Sequence, residues 1–353
     1  MHAAFFGLTR EPFSIAPDPH CLYLGERHRE ALAHLMFGLR GSGGFVVLTG
    51  EVGAGKTTLC RSFLEQVPQR CNVAYVFNPK LTALELLATI CDEFGVTVVP
   101  RVPHAPTIKD HVDPLNAYLL RSHAVGHNSV LIIDEAQNLS ADVLEQLRLL
   151  TNLETAERKL LQVVLIGQPE LRDMLAQPAL ESLAQRVVAR YHLEALSEAE
   201  TGQYIRHRLA VAGLLGPPPF DPAAGRRIHR IARGVPRRIN LLCDRAMLGG
   251  YARGCHRIDV AMVDQAAREV FGDDVLRGLP PADSSRAGRW WRGWHPAERA
   301  RSPWGVALVA VAVLVAATVV GVVFDRQRTA ASATGGGAAW PSPVAQQGPA
   351  DRP

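Results

Sequence analysis

The sequence lacks most of the features that would place it outside the ordinary globular classes. Its six cysteines (Cys21, Cys60, Cys71, Cys91, Cys243 and Cys255) are scattered and form no C-x-x-C pair. That argues against a disulfide framework or a zinc site and for reduced, cytosolic thiols. No secretory signal is expected at the start, because Met1 to Arg10 has no basic segment followed by a long apolar core. No charge sign dominates the body: the first 282 residues carry 30 basic and 30 acidic side chains. The net +4 comes from Asp283 onward, where eight arginines face four acids. A body that binds nucleic acid over its general surface is therefore not indicated. Tryptophan is absent before Trp290, and no long uncharged run occurs before residue 305.

What is present is a globular composition, 47% hydrophobic over 353 residues, enough for two or so domains. One stretch organises it: Gly50-Glu51-Val52-Gly53-Ala54-Gly55-Lys56-Thr57-Thr58. It follows the apolar run Phe45-Val46-Val47-Leu48 and leads into Leu59-Cys60-Arg61-Ser62-Phe63-Leu64. The order is strand, glycine-rich loop, helix, with the spacing G-x-x-x-x-G-K-T. Gly50, Gly53 and Gly55 let the backbone curl so that successive N–H groups face phosphate oxygens. The helix N-terminus adds its positive end, Lys56 a point charge, and Thr57 a hydroxyl for Mg²⁺. The expectation is a nucleoside-triphosphate site, with ATP and Mg²⁺ as its ligands.

A second acidic motif pairs with it. Ser129-Val130-Leu131-Ile132-Ile133 runs into Asp134-Glu135, the pattern of a central parallel strand with carboxylates at its C-terminal end. Asp134 is expected to hold Mg²⁺ beside Thr57, and Glu135 to orient and polarise the attacking water. A further strand over Leu160–Ile166 ends in Gly167-Gln168, which puts the Gln168 amide near the γ-phosphate. Alternating apolar runs and helical patterns predict an α/β domain with a parallel sheet. Predicted helices cover 26–40, 81–94, 108–124, 140–154 and 180–186, and predicted strands 72–77 and 187–193. The segment 1–44 is read as extended by its prolines before the first of these helices. That helix either lines an adenine pocket or only packs on the sheet.

Beyond residue 196 the pattern becomes all helical. Ser197-Glu198-Ala199-Glu200 is a capping box that opens a helix over 198–212, and helices over 222–232, 236–253 and 260–271 follow. Between Arg226 and Arg257 there are nine arginines and one acid, Asp244. Arg237, in Gly234-Val235-Pro236-Arg237, is the candidate nucleotide-sensing residue. The others are divided between a solvated surface and a face for anionic lipid or nucleic acid.

The assembled residues resemble the AAA+ ATPases and, within them, the general secretion pathway protein A family. The similar runs are Phe6-Gly7-Leu8 with Pro12-Phe13, Pro17-Asp18-Pro19, His28-Arg29-Glu30-Ala31-Leu32, Gly50 to Thr58, Ile133 to Gln137, Gly167 to Leu171, Gln185-Arg186 with Arg190-Tyr191-His192-Leu193, and Gly234 to Asn240. The resemblance spans roughly residues 1–272. It implies a P-loop AAA+ parallel sheet flanked by helices, a C-terminal all-helical lid and a single transmembrane helix. By motif, it gives Lys56 and Thr57 to phosphate and Mg²⁺, and Asp134 and Glu135 to metal and water. Gln168 takes the first sensor position and Arg237 the second. Arg186 is the candidate arginine finger, offered to a neighbouring subunit of a homo-oligomer, with Arg190 as its competitor. The implied role is ATP hydrolysis that helps an inner-membrane partner build an envelope secretion, pilus or polysaccharide-export system. Two other readings compete with it. One is a nucleic-acid-remodelling ATPase, against which a membrane anchor argues; the other is a nucleotide-dependent scaffold with little turnover.

The remaining expectations concern the tail. Gly305 to Phe324 is 20 uncharged residues, about 30 Å as a helix and so the thickness of a hydrocarbon core. Arg289-Trp290-Trp291-Arg292-Gly293-Trp294 mixes indoles and cations just before it, which suits a membrane interface, with anionic lipid against 286–301. Five arginines (Arg286, Arg289, Arg292, Arg299 and Arg301) precede the run and two (Arg326 and Arg328) follow it closely, which favours the N-terminal body inside. The expected organisation is an N-terminal segment packing on the nucleotide site (1–44), ATPase core (45–196), helical lid (197–273), juxtamembrane linker (274–304), inner-membrane span (305–324) and a disordered extracytoplasmic tail (325–353). Longer family members carry a peptidoglycan-binding domain there. The Gly-, Ala-, Pro- and Ser-rich residues 325–353 are not expected to bury a core.

Overall fold

The computed structural model describes residues 2–15, 23–40, 43–77, 79–99, 105–155 and 159–279. The expected span, the Trp/Arg-rich stretch before it and the tail lie outside these residues. Among the described residues no helix is long and apolar enough to cross a membrane.

Five parallel strands form one sheet: β1 (Gly44–Gly50), β2 (Cys71–Val76), β3 (Asn128–Ile133), β4 (Gln162–Gly167) and β5 (Val187–Leu193), in the order β2-β3-β4-β1-β5. The central strand β4 and its neighbour β1 are buried along their whole length. Their continuous Val/Ile/Leu composition fits a sheet covered on both faces. Register brings Thr49 beside Gly167 and Ile133 beside Leu165, so the C-terminal ends of β1, β3 and β4 share one edge.

Period-2 alternation divides the sheet's side chains between two cores. On one face Phe45, Val47, Ala74, Val76, Leu131, Ile133, Val163 and Leu165 pack with α4 (Ala83–Glu93), α5 (Ile108–Ala124), α6 (Ala141–Leu150), α7 (Pro169–Leu175) and the short α8 (Glu181–Ala184). On the other, Val46, Leu48, Val130, Ile132, Val164 and Ile166 pack with α2 (Glu26–Arg40) and α3 (Lys56–Gln66). Thr82 and Thr107 close full capping boxes with Glu85 and Asp110, which fixes where α4 and α5 begin. α5 keeps Pro114 inside it.

Four helices form a second cluster: α9 (Glu198–Val211), α10 (Pro222–Ala232), α11 (Pro236–Ala252) and α12 (Val260–Phe271). Its core also takes in Phe6, Leu8 and Phe13 from the N-terminal segment, where α1 (His2–Phe5) is one short turn. Thr9 donates through both its N–H and its hydroxyl to the Ala212 carbonyl, at 2.9 and 3.0 Å. The extended reading of this segment is thus modified by one helical turn. Its aromatic residues pack on the helical cluster, while α2 packs on β1 and β5.

Candidate functional site

The loop between β1 and α3 carries positive φ at Gly53 (79°) and Gly55 (102°), conformations that L side chains adopt only at a cost. Gly55 is the N-cap of α3 and leaves that helix end without a side-chain cap, so its N–H groups remain available to an anion. Lys56 is buried, and its Nζ donates back to the carbonyls of Gly50 (2.7 Å) and Glu51 (3.0 Å). Burial lowers its pKa, against the opposing pull of Glu135, Asp134, Glu51 and Glu170.

Thr57, one residue on, donates its hydroxyl to Asp134 Oδ2 at 3.2 Å. Asp134 also accepts from the Tyr75 hydroxyl at Oδ2 (3.0 Å) and from the Glu135 N–H at Oδ1 (2.9 Å). Tyr75 has its pKa raised by burial first, then by Cys60 and Asp134, so the phenol stays protonated and acts as a donor. Thr57 and Asp134 offer hard oxygen donors, the chemistry that suits Mg²⁺. Among the described residues no cluster of three or more His, Cys, Asp or Glu forms a closed metal site. A cation here would thus lean on one carboxylate, one hydroxyl, water and the substrate's phosphates.

Glu135 sits at φ 55°, ψ 39°, a left-handed conformation that costs a non-glycine residue about 1–2 kcal/mol. That backbone turn lifts its side chain off the end of β3. Two amides then grip it: Gln137 Nε2 at 2.6 Å and Gln168 Nε2 at 3.2 Å, both on Oε2. The Gln168 N–H in turn donates to Gln137 Oε1 at 3.0 Å, which joins the tips of β3 and β4. Burial pushes the Glu135 carboxyl upward, but the two amides and the Lys56 charge outweigh it and hold it below its ordinary value. With Oε2 occupied, Oε1 is the oxygen left to accept a proton from water.

These groups open onto a cavity of about 340 Å³, lined by Gly53, Gly55, Lys56, Thr57, Thr58 and Glu135 from the sheet side and by Arg237 and Asn240 from α11. Arg237 reaches it because Gly234 allows the chain to pass against Leu196. A Cβ at Gly234 would lie 2.0 Å from the Leu196 carbonyl oxygen, and the Leu196 N–H donates to the Gly234 carbonyl at 2.9 Å. Pro236 then starts α11 at a position where its missing N–H costs nothing.

The N-terminal segment closes the cavity with Ser14, Ile15, Tyr23 and His28. The buried Arg208 holds that segment by donating to the carbonyls of Pro12 (2.5 Å) and Ser14 (2.8 Å). The Arg208 guanidinium also meets the Tyr204 hydroxyl, which donates to Asn240 Oδ1 at 2.8 Å. Tyr75, Gln137, Tyr204, Arg208 and Asn240 had no assigned role in the sequence reading. The strongest signal for any of them is Gln137, two residues beyond the Asp-Glu pair.

Arg186 lies elsewhere. Its carbonyl accepts from Phe45 N–H at the opening of β1, the opposite end of the strand from the loop. Its guanidinium donates to the Arg148 carbonyl (3.2 Å), Thr151 Oγ1 (3.0 Å) and Asn152 Oδ1 (2.6 Å). Arg190 is exposed on the edge strand β5 and donates to the Ala184 carbonyl. Neither lines the cavity of its own chain.

The AAA-domain family matches residues 39–175. General secretion pathway protein A of Aeromonas hydrophila is 53% identical over 274 residues, which is 77% of this chain and 49% of that protein. The chain belongs to the AAA+ ATPases related to general secretion pathway protein A. It spans about half the length of that curated relative. The fold of this AAA+ ATPase is also that of the Drosophila ORC bound to DNA (TM-score 0.56, 19% identity, 78% of this chain and 69% of that one). Cdc6p of Pyrobaculum aerophilum is similar to the same degree (TM-score 0.55, 18% identity, 76% and 74%). At such identities the likeness is one of fold.

Several arginines of the helical cluster are engaged within it, two of them by carboxylates. Arg227 pairs with Asp264 at 2.6 Å, Arg245 with Glu269 at 2.5 Å, and Arg253 with Gln265. Arg238 lies over the Phe271 ring, 4.5 Å from its centroid. Of the nine arginines that stood out in the sequence, these four are engaged within the cluster and Arg237 faces the cavity.

Proposed function

We propose that this chain is a membrane-anchored ATPase that binds and hydrolyses ATP to drive assembly or operation of a bacterial envelope system for secretion, pilus or polysaccharide export. The observation that carries the catalytic part is the convergence of Lys56, Thr57, Asp134, Glu135, Gln168 and Arg237 at one end of the sheet. The N–H groups of the glycine-rich loop and Lys56 bind the β- and γ-phosphates. Thr57 and Asp134 hold Mg²⁺, which supplies neutralising charge on the phosphate oxygens. Glu135, held by Gln137 and Gln168, presents Oε1 to a water. The water oxygen bonds to the γ-phosphorus as the bridging P–O bond breaks, its proton passes toward Glu135, and ADP and phosphate form.

The helical cluster acts as a lid, with Arg237 sensing the phosphates, and Arg186 reaches the site of a neighbour in a homo-oligomer. The balanced body, the engaged arginines and the apolar run at 305–324 support work at a membrane over work on nucleic acid. The run at 305–324 is the anchor, with the ATPase on the cytoplasmic side of the inner membrane, anionic lipid against 286–301 and a membrane protein as the receiving partner. Deleting 305–324 is expected to release the protein from the membrane fraction while nucleotide binding is kept. Full-length protein that fractionates as soluble would overturn the anchoring.

A further inference from the structure

We propose that Tyr75 is a positioning residue for the metal-holding carboxylate, acting on Asp134 from the neighbouring strand. The inference rests on the reading of the cavity as an ATP and Mg²⁺ site. Four observations carry it. β2 pairs in register with β3, so that Tyr75 lies beside Ile132 and Val76 beside Ile133. Alternation along β2 sends Ala74 and Val76 into one core and Val73 and Tyr75 to the other, the face covered by α3. From there the Tyr75 hydroxyl reaches Asp134 Oδ2 at 3.0 Å, the same oxygen that Thr57 contacts at 3.2 Å. Finally, the Tyr75 ring is fixed from the outside by Phe77, whose centroid is 4.1 Å away.

The consequence is geometric. A carboxylate has roughly four acceptor positions. Here Oδ1 receives one donor and Oδ2 two, which fixes the rotation of the group about its χ2 bond. Thr57 is itself assigned to the cation, so in the loaded state Tyr75 and the Glu135 N–H are the donors that hold Asp134 still. Partners that orient a metal-binding carboxylate in this way typically contribute 10–100-fold in metal affinity or activity. β2 is also an edge strand, so its Tyr75 ties the outer border of the sheet to the centre of the site.

The test is a Mg²⁺ titration of nucleotide binding by the full-length protein in detergent, read with a fluorescent non-hydrolysable ATP analogue. Tyr75→Phe keeps the ring and removes the hydroxyl. It is expected to bind the analogue in EDTA within about twofold of wild type and to need about tenfold more Mg²⁺ for its metal-dependent response. Phe77→Ser removes packing from the same ring but leaves the hydroxyl, and is expected to keep the wild-type Mg²⁺ midpoint. A Tyr75→Phe midpoint within twofold of wild type overturns the proposal, whatever happens to the melting temperature. So does an equal shift in both variants, or a loss of binding in EDTA, since each would make the effect one of packing. Asp134→Ala separates this from failure of the site itself. If it keeps the wild-type Mg²⁺ response, the metal assignment is wrong and Tyr75 falls with it.

Discussion

The backbone N–H of Arg237 donates to the carbonyl of Gly53 at 3.2 Å, and the two residues meet so closely that a Cβ on Gly53 would lie 2.5 Å from the Arg237 Cβ. The glycine-rich loop and the first turn of α11 therefore touch through their backbones. A movement of either is felt by the other, as the proposed lid would need. Gly53→Ala adds a methyl group at this contact and at φ 79°. The left-handed backbone alone costs about 1–2 kcal/mol. The expected outcome is nucleotide affinity weakened by about tenfold or more in an equilibrium titration, where each tenfold is about 1.4 kcal/mol. Wild-type affinity in Gly53→Ala would show that the contact is incidental.

Arg186 gives a prediction that separates service to a neighbour from a structural role. Arg186→Ala is expected to lose about 10³-fold or more in turnover. Mixing it with Lys56→Ala, which has a defective site but an intact finger, is expected to restore activity in mixed oligomers. The structural part, the three bonds from Arg186 to the end of α6, cannot be restored by mixing. If Arg186→Ala is not complemented and Arg190→Ala is, the finger is Arg190.

Acid should destabilise the protein through the buried His28 and the half-buried His229. Burial lowers the pKa of His28 despite an opposing bond to the Ala54 backbone and the charge of Glu200. Burial lowers that of His229 as well, whose Nδ1 lies 2.9 Å from Thr201 Oγ1. The unfolded chain takes up a proton on each near pH 6.5, whereas the folded chain resists until lower pH. The stability contributed by the neutral rings is complete above about pH 6.5 and is lost as pH falls below it. Thermal melting between pH 7.5 and 5.5 is expected to show this fall, and His28→Gln to reduce it. A melting temperature independent of pH across that window would contradict the assignment.

The helical cluster has its own vulnerable point in the Arg227–Asp264 pair, where the arginine side chain is 7% exposed. Asp264→Ala removes the carboxylate that faces this buried cation, and breaking such pairs costs about 3–5 kcal/mol. Denaturant unfolding is expected to show a loss in this range. A loss below about 1 kcal/mol would mean that water or the guanidinium's other contacts compensate its charge.

Much of this arrangement was legible in the sequence, for physical reasons that differ by element. The helices at 26–40 and 108–124 and the strand at 187–193 fall where periodicity and caps put them. Capping boxes, apolar runs and glycine stops are local signals. α7 escaped the reading because Gln168-Pro169 resembles the end of a strand. Its seven residues begin at a proline with no side-chain cap, too short for periodicity to show.

The site divides in the same way. Lys56, Thr57, Asp134 and Glu135 announce themselves by spacing. Tyr75 does not, because its reach to Asp134 exists only once β2 and β3 are in register. The grip of Gln137 on Glu135 depends on a left-handed backbone that no residue type there demands. The attachment of the N-terminal segment to α9 through Arg208 links residues 194 to 196 positions apart, beyond any local pattern.

The central claim is that Glu135 activates water for hydrolysis of ATP held by the Gly50–Thr58 loop. Steady-state phosphate release and equilibrium ATP binding, measured side by side on wild type and Glu135→Gln, test it most directly. The account predicts that Glu135→Gln binds ATP as wild type does and releases phosphate about 10²–10⁴-fold more slowly. Phosphate release by Glu135→Gln at the wild-type rate would contradict it.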